Sequence, residues 1–364
     1  MRILFFGTFD EQRQPRVLAL REGLAAHGHE ITVRNTPLPL DTDARISVAA
    51  RPWRAPLLAL HVLWCWIRLL VMSRRDRPQV VVVGYLGHFD VHLARLRFPR
   101  ATIVLDHMVS LADTVQDRRL DDRGLVTRLL TWIDRAAIRA ADVVVVDTEE
   151  HRSLVEDPDA RVVVVPVGAP TLWREAGAGA TPTEDREPLR VVFFGLYTPL
   201  QGAPTIGEAI AATPPGLVEW TMIGTGQDLE ATRAAASTRT DVRWLDWLPV
   251  DELAREVAAH DVCLGIFGTT PKAQRVVPNK VYQGLAAGCA VVTSDTPPQR
   301  RVLGDAAVFV PPGDASRLAE TIAALAHDRT RLRAQQAAAR ALWHTLLEPR
   351  ALVAPLDAAL AGQP

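Results

Sequence analysis

Short, unbroken apolar segments, several of them pure valine, recur along the chain at residues 3–6, 80–83, 102–105, 143–146 and 162–165. A strand with one wet face alternates apolar and polar residues, so a strand that is apolar at every position has both faces covered. Helical patterns separate these segments. The arrangement predicts an α/β fold built on a doubly wound parallel sheet.

Residues 169–188 then carry Pro170, Gly177, Gly179, Pro182 and Pro188 among small and charged residues, a composition expected of a linker. After it the chain starts again. Arg2-Ile3-Leu4-Phe5-Phe6-Gly7 is echoed by Arg190-Val191-Val192-Phe193-Phe194-Gly195, and further apolar segments follow at 218–223, 242–245, 262–266, 290–293 and 306–310. The expected organisation is an N-terminal Rossmann-like domain over 1–168, a linker over 169–188, a second Rossmann-like domain over 189–340 and a helical tail over 341–364, with that tail packing back on the first domain as one arrangement. The region 316–361 is rich in Ala, Leu and Arg and has no strand pattern.

One stretch departs from this rhythm. Residues 57–72 are apolar on almost every side, and Arg54, His61, Arg68 and Arg75 fall seven apart on one stripe. Sixteen residues containing an arginine are short for a bilayer span. Two readings stay open: a crossover helix buried against the sheet, or a helix lying on a membrane with Trp64 and Trp66 at the interface.

Charge narrows the partners. The formal net charge is −1, from 41 basic and 42 acidic residues, so no general attraction to nucleic acid is built in. Only two of the basic residues are lysines, Lys272 and Lys280, and they lie in one short stretch. Cys65, Cys263 and Cys289 stand singly, without zinc or disulfide spacing, and the N-terminal apolar run is too short for a signal peptide. A cytoplasmic protein is expected, with peripheral membrane contact through 57–72 as the second possibility.

Ligands of doubly wound sheets bind at the carboxyl ends of strands, which directs attention to the loops there. Gly195, Thr198, Gln201 and Gly202 lie on one glycine turn that leads into a helix, and Gly224 and Thr225 lie on a second. Such turns let backbone N–H groups approach an anion, or serve only to reverse the chain. Trp247 and Leu248 end an aromatic-rich strand, where a planar base can stack or the rings can fill the core. The segment 268–292 is the most informative. Its loop holds Lys272 and Arg275, and Pro278 marks a helix start. Asn279, Lys280 and Gln283 follow, and a cation in a first helical turn is unfavourable unless an anion is bound nearby.

Pro278-Asn279-Lys280-Val281-Tyr282-Gln283 through Ala286-Ala287-Gly288-Cys289-Ala290-Val291-Val292 resembles the donor-site segment of nucleotide-sugar-dependent glycosyltransferases of the two-Rossmann (GT-B) type, in particular the retaining family 4 (group 1). The turns at Gly195 and Gly224, the segment Phe309-Val310-Pro311-Pro312-Gly313-Asp314, and residues 15–30 ending in Gly-His-Glu resemble further parts of that family. The resemblance implies two doubly wound domains facing a cleft, with C-terminal helices. It also implies a nucleotide-diphosphate sugar as co-substrate, with no separate cofactor, and retention of configuration. The family usually has Glu where Gln283 stands, a second Glu where Arg275 stands, and an Arg and a Lys in the first glycine turn, where this chain offers Leu196 or Tyr197 and Gln201.

The missing cations have a physical replacement. A departing diphosphate needs fixed positive charge, and Lys280, Arg275 and Lys272 are positioned by sequence to supply it without a metal site. His107 resembles the family's cleft histidine and by type can orient an acceptor hydroxyl. Gly7, Thr8, His88, Asp106 and Asp113 follow strands of the first domain and are expected to face the acceptor, a glycan, lipid-linked sugar or small molecule. The competing functions are a degenerate protein that binds nucleotide-sugar or a partner glycosyltransferase without turnover, and a sugar-nucleotide epimerase. The latter needs carboxylates that the loop 268–288 lacks.

Overall fold

The computed structural model describes residues 1–9, 15–38, 55–108, 110–117, 124–179 and 188–362. The chain divides into two compact units: Met1–Pro166 with Leu352–Pro364, and Val167–Ala351. In the first unit β1 (Arg2–Gly7), β2 (Glu30–Asn35), β3 (Val80–Val83), β4 (Thr102–Asp106), β5 (Val143–Val146) and β6 (Val162–Val164) form one parallel sheet in the order β2-β1-β3-β4-β5-β6. Strands β3 and β5 are buried at every residue, so neither face tolerates a polar side chain and both read as Val-Val-Val-Val. Each such valine contributes about 1.5–3 kcal/mol by leaving water. The edge strand β2 is half-exposed and correspondingly mixed, Glu-Ile-Thr-Val-Arg-Asn.

The second unit holds β7 (Leu189–Phe194), β8 (Val218–Ile223), β9 (Val242–Leu245), β10 (Val262–Leu264), β11 (Ala290–Ser294) and β12 (Ala307–Val310), again all parallel, in the order β12-β11-β10-β7-β8-β9. The two expected Rossmann-like sheets are therefore present. In each, the chain winds to one side of its first strand and then returns to the other. The switch points lie between β1 and β3 and between β7 and β10, where ligands of this fold class bind.

Three segments differ from the sequence expectation. Within 169–188, Thr171–Gly179 is a helix, and 180–187 lie outside the described residues. Trp173 on that helix is fully buried and stacks on Phe194 at 5.6 Å, while Gly177 lies against the backbone of Ala287, so the helix belongs to the second unit. Glycine and proline around it masked the short apolar pair Leu172-Trp173. The tail also divides later than residue 341. Trp343 and Leu347 stay with the second unit, whereas Asp357 accepts from His29 at 2.6 Å and pairs with His27 at 3.0 Å, fixing the last helix, Ala354–Ala361, to the first.

The third is the helix Ala55–Met72. Cys65 and Leu69 are buried beneath it and Trp66 donates to Asp90 at 2.8 Å, but Leu60, Leu63, Trp64, Ile67 and Val71 face solvent. It is a crossover helix, but only one stripe of it is covered. Arg54 lies outside the described residues. No described helix is long and apolar enough to cross a membrane.

Candidate active site

In the second unit three loops meet at the carboxyl ends of β7, β8 and β10. Gly195 donates its N–H to Ile223, Tyr197 to Thr225, and Phe267 to the carbonyl of Gln201. A Cβ on Gly224 would stand 2.0 Å from the Gly195 carbonyl oxygen, and one on Gly202 (φ +62°) would stand 2.3 Å from the Phe267–Gly268 backbone. These glycines are needed because backbone packs directly on backbone. The turn and the cradle readings are thus not exclusive: the turns interlock, and their outer rims, with Thr198 half-buried and Thr225 exposed, remain accessible.

Lys280 closes this constellation. It sits in the first turn of the helix Asn279–Ala286, is 4% exposed, and directs its Nζ toward the Gly195 turn, donating to Gln201 Oε1 and lying 3.7 Å above the Phe193 ring. No Asp or Glu among the described residues pairs with it. Burial pulls its pKa down to about 7. Pro278 stands just before the helix, in extended conformation, and no side chain caps the terminus. Asn279 is half-buried and Gln283 buried on the same helix. Lys272 and Arg275 ride half-buried on the preceding loop, which is anchored by Ala273 and Val276 against Ile266 and Leu200. Trp244 packs on the core, while Trp247 is 67% exposed with Leu248 half-buried beside it.

The first unit builds a different arrangement. Asp134, on the helix Leu125–Ala140, is buried and accepts from Ser110 Oγ at 2.7 Å and from the N–H groups of Leu111 and Ala112 at 3.2 and 3.3 Å. His88 Nε2 lies 2.9 Å and His107 Nε2 3.8 Å from Asp134 Oδ1, with the two rings edge-to-face at 5.2 Å. Burial would raise the Asp134 carboxyl, but the neighbouring imidazoles of His107 and His88 outweigh it and hold the group below the ordinary carboxylate range. Burial lowers the His88 pKa against the pull of Asp134. These three residues present one ligand atom each within 4.8 Å, the geometry of a candidate metal site. Both Asp134 oxygens already accept N–H or O–H donors, however, which suits a carboxylate that orients two imidazoles better than one that binds an ion.

The remaining acceptor candidates separate. Thr8 donates its N–H and its hydroxyl to Asp90 Oδ2 at 2.7 and 2.9 Å, and Gly7 packs on the same oxygen, so Asp90 sets the loop after β1. Asp106 does not join the histidines. It is buried in an ion pair with Arg16 Nε at 2.6 Å, and Arg16 also donates to the carbonyls of Val165 and Pro166, a link between strand ends. This corrects its expected role toward the acceptor. Burial raises the Asp106 pKa, opposed by Arg16. Asp113 lies in the first turn of Leu111–Asp117, its N–H donated to Ser110 Oγ at 3.2 Å. Sequence reasoning missed Asp90, Asp134 and Arg16. For Asp134 a signal existed, an acid on the apolar face of a helix beside Ala137 and Ile138.

Comparison with known proteins gives two family matches: Glycosyltransferase Family 4 over residues 15–171 and Glycosyl transferases group 1 over residues 188–328. Among solved structures, sucrose-phosphate synthase from Thermosynechococcus elongatus is 14% identical with a TM-score of 0.74, covering 99% of this chain and 98% of that one. Anabaena HepE in complex with UDP-glucose is 13% identical with a TM-score of 0.69, covering 100% of both chains. A trehalose-6-phosphate synthase, analysed through bisubstrate glycomimetics for glycosyl transfer with retention, is also 13% identical with a TM-score of 0.69 over 100% of both. At such identities the likeness concerns the fold. A comparison with curated proteins gives no match.

Proposed function

Since both halves of the chain match it, the protein belongs to the family 4 (group 1) glycosyltransferases of GT-B fold, and we propose that it moves a sugar from a nucleotide-diphosphate sugar to an acceptor hydroxyl with retention and without an obligatory metal. The observation that carries this reading is Lys280. An ammonium group buried without a carboxylate beside it is costly, and here it is aimed at a glycine turn at the switch point of the sheet. An incoming diphosphate supplies the missing anion.

In the proposed step the acceptor oxygen bonds to the anomeric carbon on the face from which the diphosphate oxygen departs. The acceptor proton passes to that departing oxygen. Lys280, in its ammonium form, stabilises the developing charge, with Arg275 and Lys272 on the adjoining loop adding to the field. Gln283, Asn279 and Pro278 serve the nucleotide end, Thr198, Gln201 and Thr225 the phosphates, and Trp247 with Leu248 a face for the base. His107 orients the acceptor hydroxyl, held by Asp134, with His88 and Thr8 lining the same strand ends. Because structures of this fold hold UDP-glucose, a UDP-sugar is the first donor to try. The three cysteines are buried and form no disulfide among the described residues, as suits a reducing compartment.

A thermal-shift panel of nucleotide diphosphates and their sugars, followed by turnover with the donor that stabilises most, tests the reading. Binding with transfer or donor hydrolysis supports it. Binding with neither, across acceptor classes, would leave a degenerate donor-binding protein instead, and the substitution of family glutamates by Gln283 and Arg275 would then be its cause.

A further inference from the structure

One face of the sheet in the first unit is covered by three helices, Ala55–Met72, Asp90–Arg97 and Leu125–Ala140. Leu69, Val91 and Ala137, one from each, pack into a single core with Leu4, Val81 and Ile103. The first and third helices each pack on the middle one, so their outer surfaces adjoin.

Those outer surfaces are apolar where water should favour polar residues. Leu60, Trp64 and Ile67 are 64%, 51% and 54% exposed, and Leu125, Leu129 and Trp132 are 64%, 57% and 66% exposed. In both helices the spacing is i, i+4, i+7, the spacing of a stripe that in an ordinary surface helix faces the core. Here the core takes the opposite stripe. Leu96 on the middle helix is 79% exposed. Contiguous apolar surface of this extent marks a docking site.

The charge around it identifies the occupant. From Ala55 to Arg75 the sequence contains Arg68, Arg74 and Arg75 and no acid. Arg68 lies over the Trp64 ring at 4.7 Å, and Arg74, Arg75 and Arg128 are exposed without an ion pair among the described residues. Arg135 and Arg139 on the third helix are matched by Glu156 and Asp157. The uncompensated charge of the face is therefore positive. A second copy of the chain would bring arginine against arginine. An anionic bilayer satisfies both features, taking leucine and isoleucine into the acyl boundary, tryptophan at the headgroups and arginine on lipid phosphate.

We propose that this three-helix face docks on the surface of an anionic membrane. The inference is independent of the donor site, since it concerns lipid and not nucleotide; if both hold, a lipid-linked acceptor is the natural substrate class.

Co-sedimentation of the full chain with vesicles tests it, using phosphatidylcholine alone and phosphatidylcholine with one-third phosphatidylglycerol. Most of the protein should pellet with the anionic vesicles at low salt, and much less with neutral vesicles or at high salt. L60E/I67E and W132E should each lower the vesicle partition coefficient about tenfold or more, and R74E/R75E should abolish the preference for phosphatidylglycerol. All these side chains are exposed, so the melting temperature should remain that of the wild type, and a variant that keeps it reports on docking alone. Absence of pelleting with anionic vesicles at low salt overturns the proposal. So does equal partitioning of wild type and folded variants, or a wild-type dimer that the same substitutions convert to monomer.

Discussion

The switch-point loops of the two units place charge in opposite ways. In the second unit a buried cation, Lys280, has an amide oxygen and an aromatic ring for company and no anion among the described residues. In the first, a buried anion, Asp134, accepts from Ser110, Leu111 and Ala112 and has two histidines beside it. The lysine lacks a carboxylate partner among the described residues, whereas both oxygens of the aspartate are occupied. An incomplete site is what a charged ligand finishes, whereas a closed one holds neighbouring groups in fixed orientation. Under the proposed function, donor binding and acceptor positioning would use contrary local arrangements of the same fold.

Replacing Lys280 is the harshest way to break this contrast. Lys280→Met should cut turnover by about a thousandfold, within the range for loss of a charge-stabilising donor. The same variant should melt higher than the wild type when no ligand is present, because a buried unpaired charge has been removed. Steady-state kinetics and thermal denaturation check the two halves, and a variant both active and less stable would refute the incomplete-site description.

At the closed site, Asp134→Ala should be destabilising by about 3–5 kcal/mol, since it strips a buried acceptor from several donors. Asp134→Asn keeps part of the network. It should lower kcat about tenfold or more with little change in donor KM, because it disturbs the orientation of His107 and leaves the donor loops alone. A loss confined to donor KM would show that the two sites do not divide the labour in this way.

Titration sharpens the comparison further. With Lys280 near 7 in the free protein, a bound diphosphate favours the protonated form and raises its pKa. Donor affinity should be full below pH 7 and then fall up to tenfold per pH unit above it, as measured by calorimetry with a nucleotide sugar. For stability the sign is reversed. The group's pKa is lower folded than its ordinary 10.5, so the unfolded chain binds the additional proton above pH 7. Ligand-free stability therefore gains a term that rises from pH 7 toward 9, and Lys280→Met should lack that rise.

Trp247→Ala carries the smallest effect, about fivefold weaker donor binding from lost stacking, with an unchanged melting temperature because the ring is exposed. An unchanged affinity would remove Trp247 from the donor site while leaving the Lys280 argument intact.

Much of this was readable in advance, for identifiable reasons. Strands β3, β5 and β7 lie inside a sheet covered on both faces, so burial wrote itself into consecutive apolar residues. The helix Asn279–Ala286 was visible because Pro278 marks its start, and a first-turn lysine that contradicts the helix dipole points to something outside the local sequence. The partners of buried groups were not readable. Asp134 meets His88 across 46 positions and Asp106 meets Arg16 across 90, and no local pattern encodes such pairs. The helix Thr171–Gly179 was hidden by the glycines and prolines around it. The outward stripes of Ala55–Met72 and Leu125–Ala140 were hidden for another reason: periodicity shows that an apolar stripe exists, but not which side the sheet lies on.

The sequence by itself determined two parallel sheets and their switch-point loops, because burial and turn geometry act over a few neighbouring residues. Only the tertiary structure decided that Lys280 is buried without a carboxylate, that Asp106 braces the fold while Asp134 holds the histidines, and that a leucine and tryptophan face is left uncovered. Each of these depends on which side chains from distant segments come within a few ångströms, and electrostatic pairing and exposure are properties of that meeting.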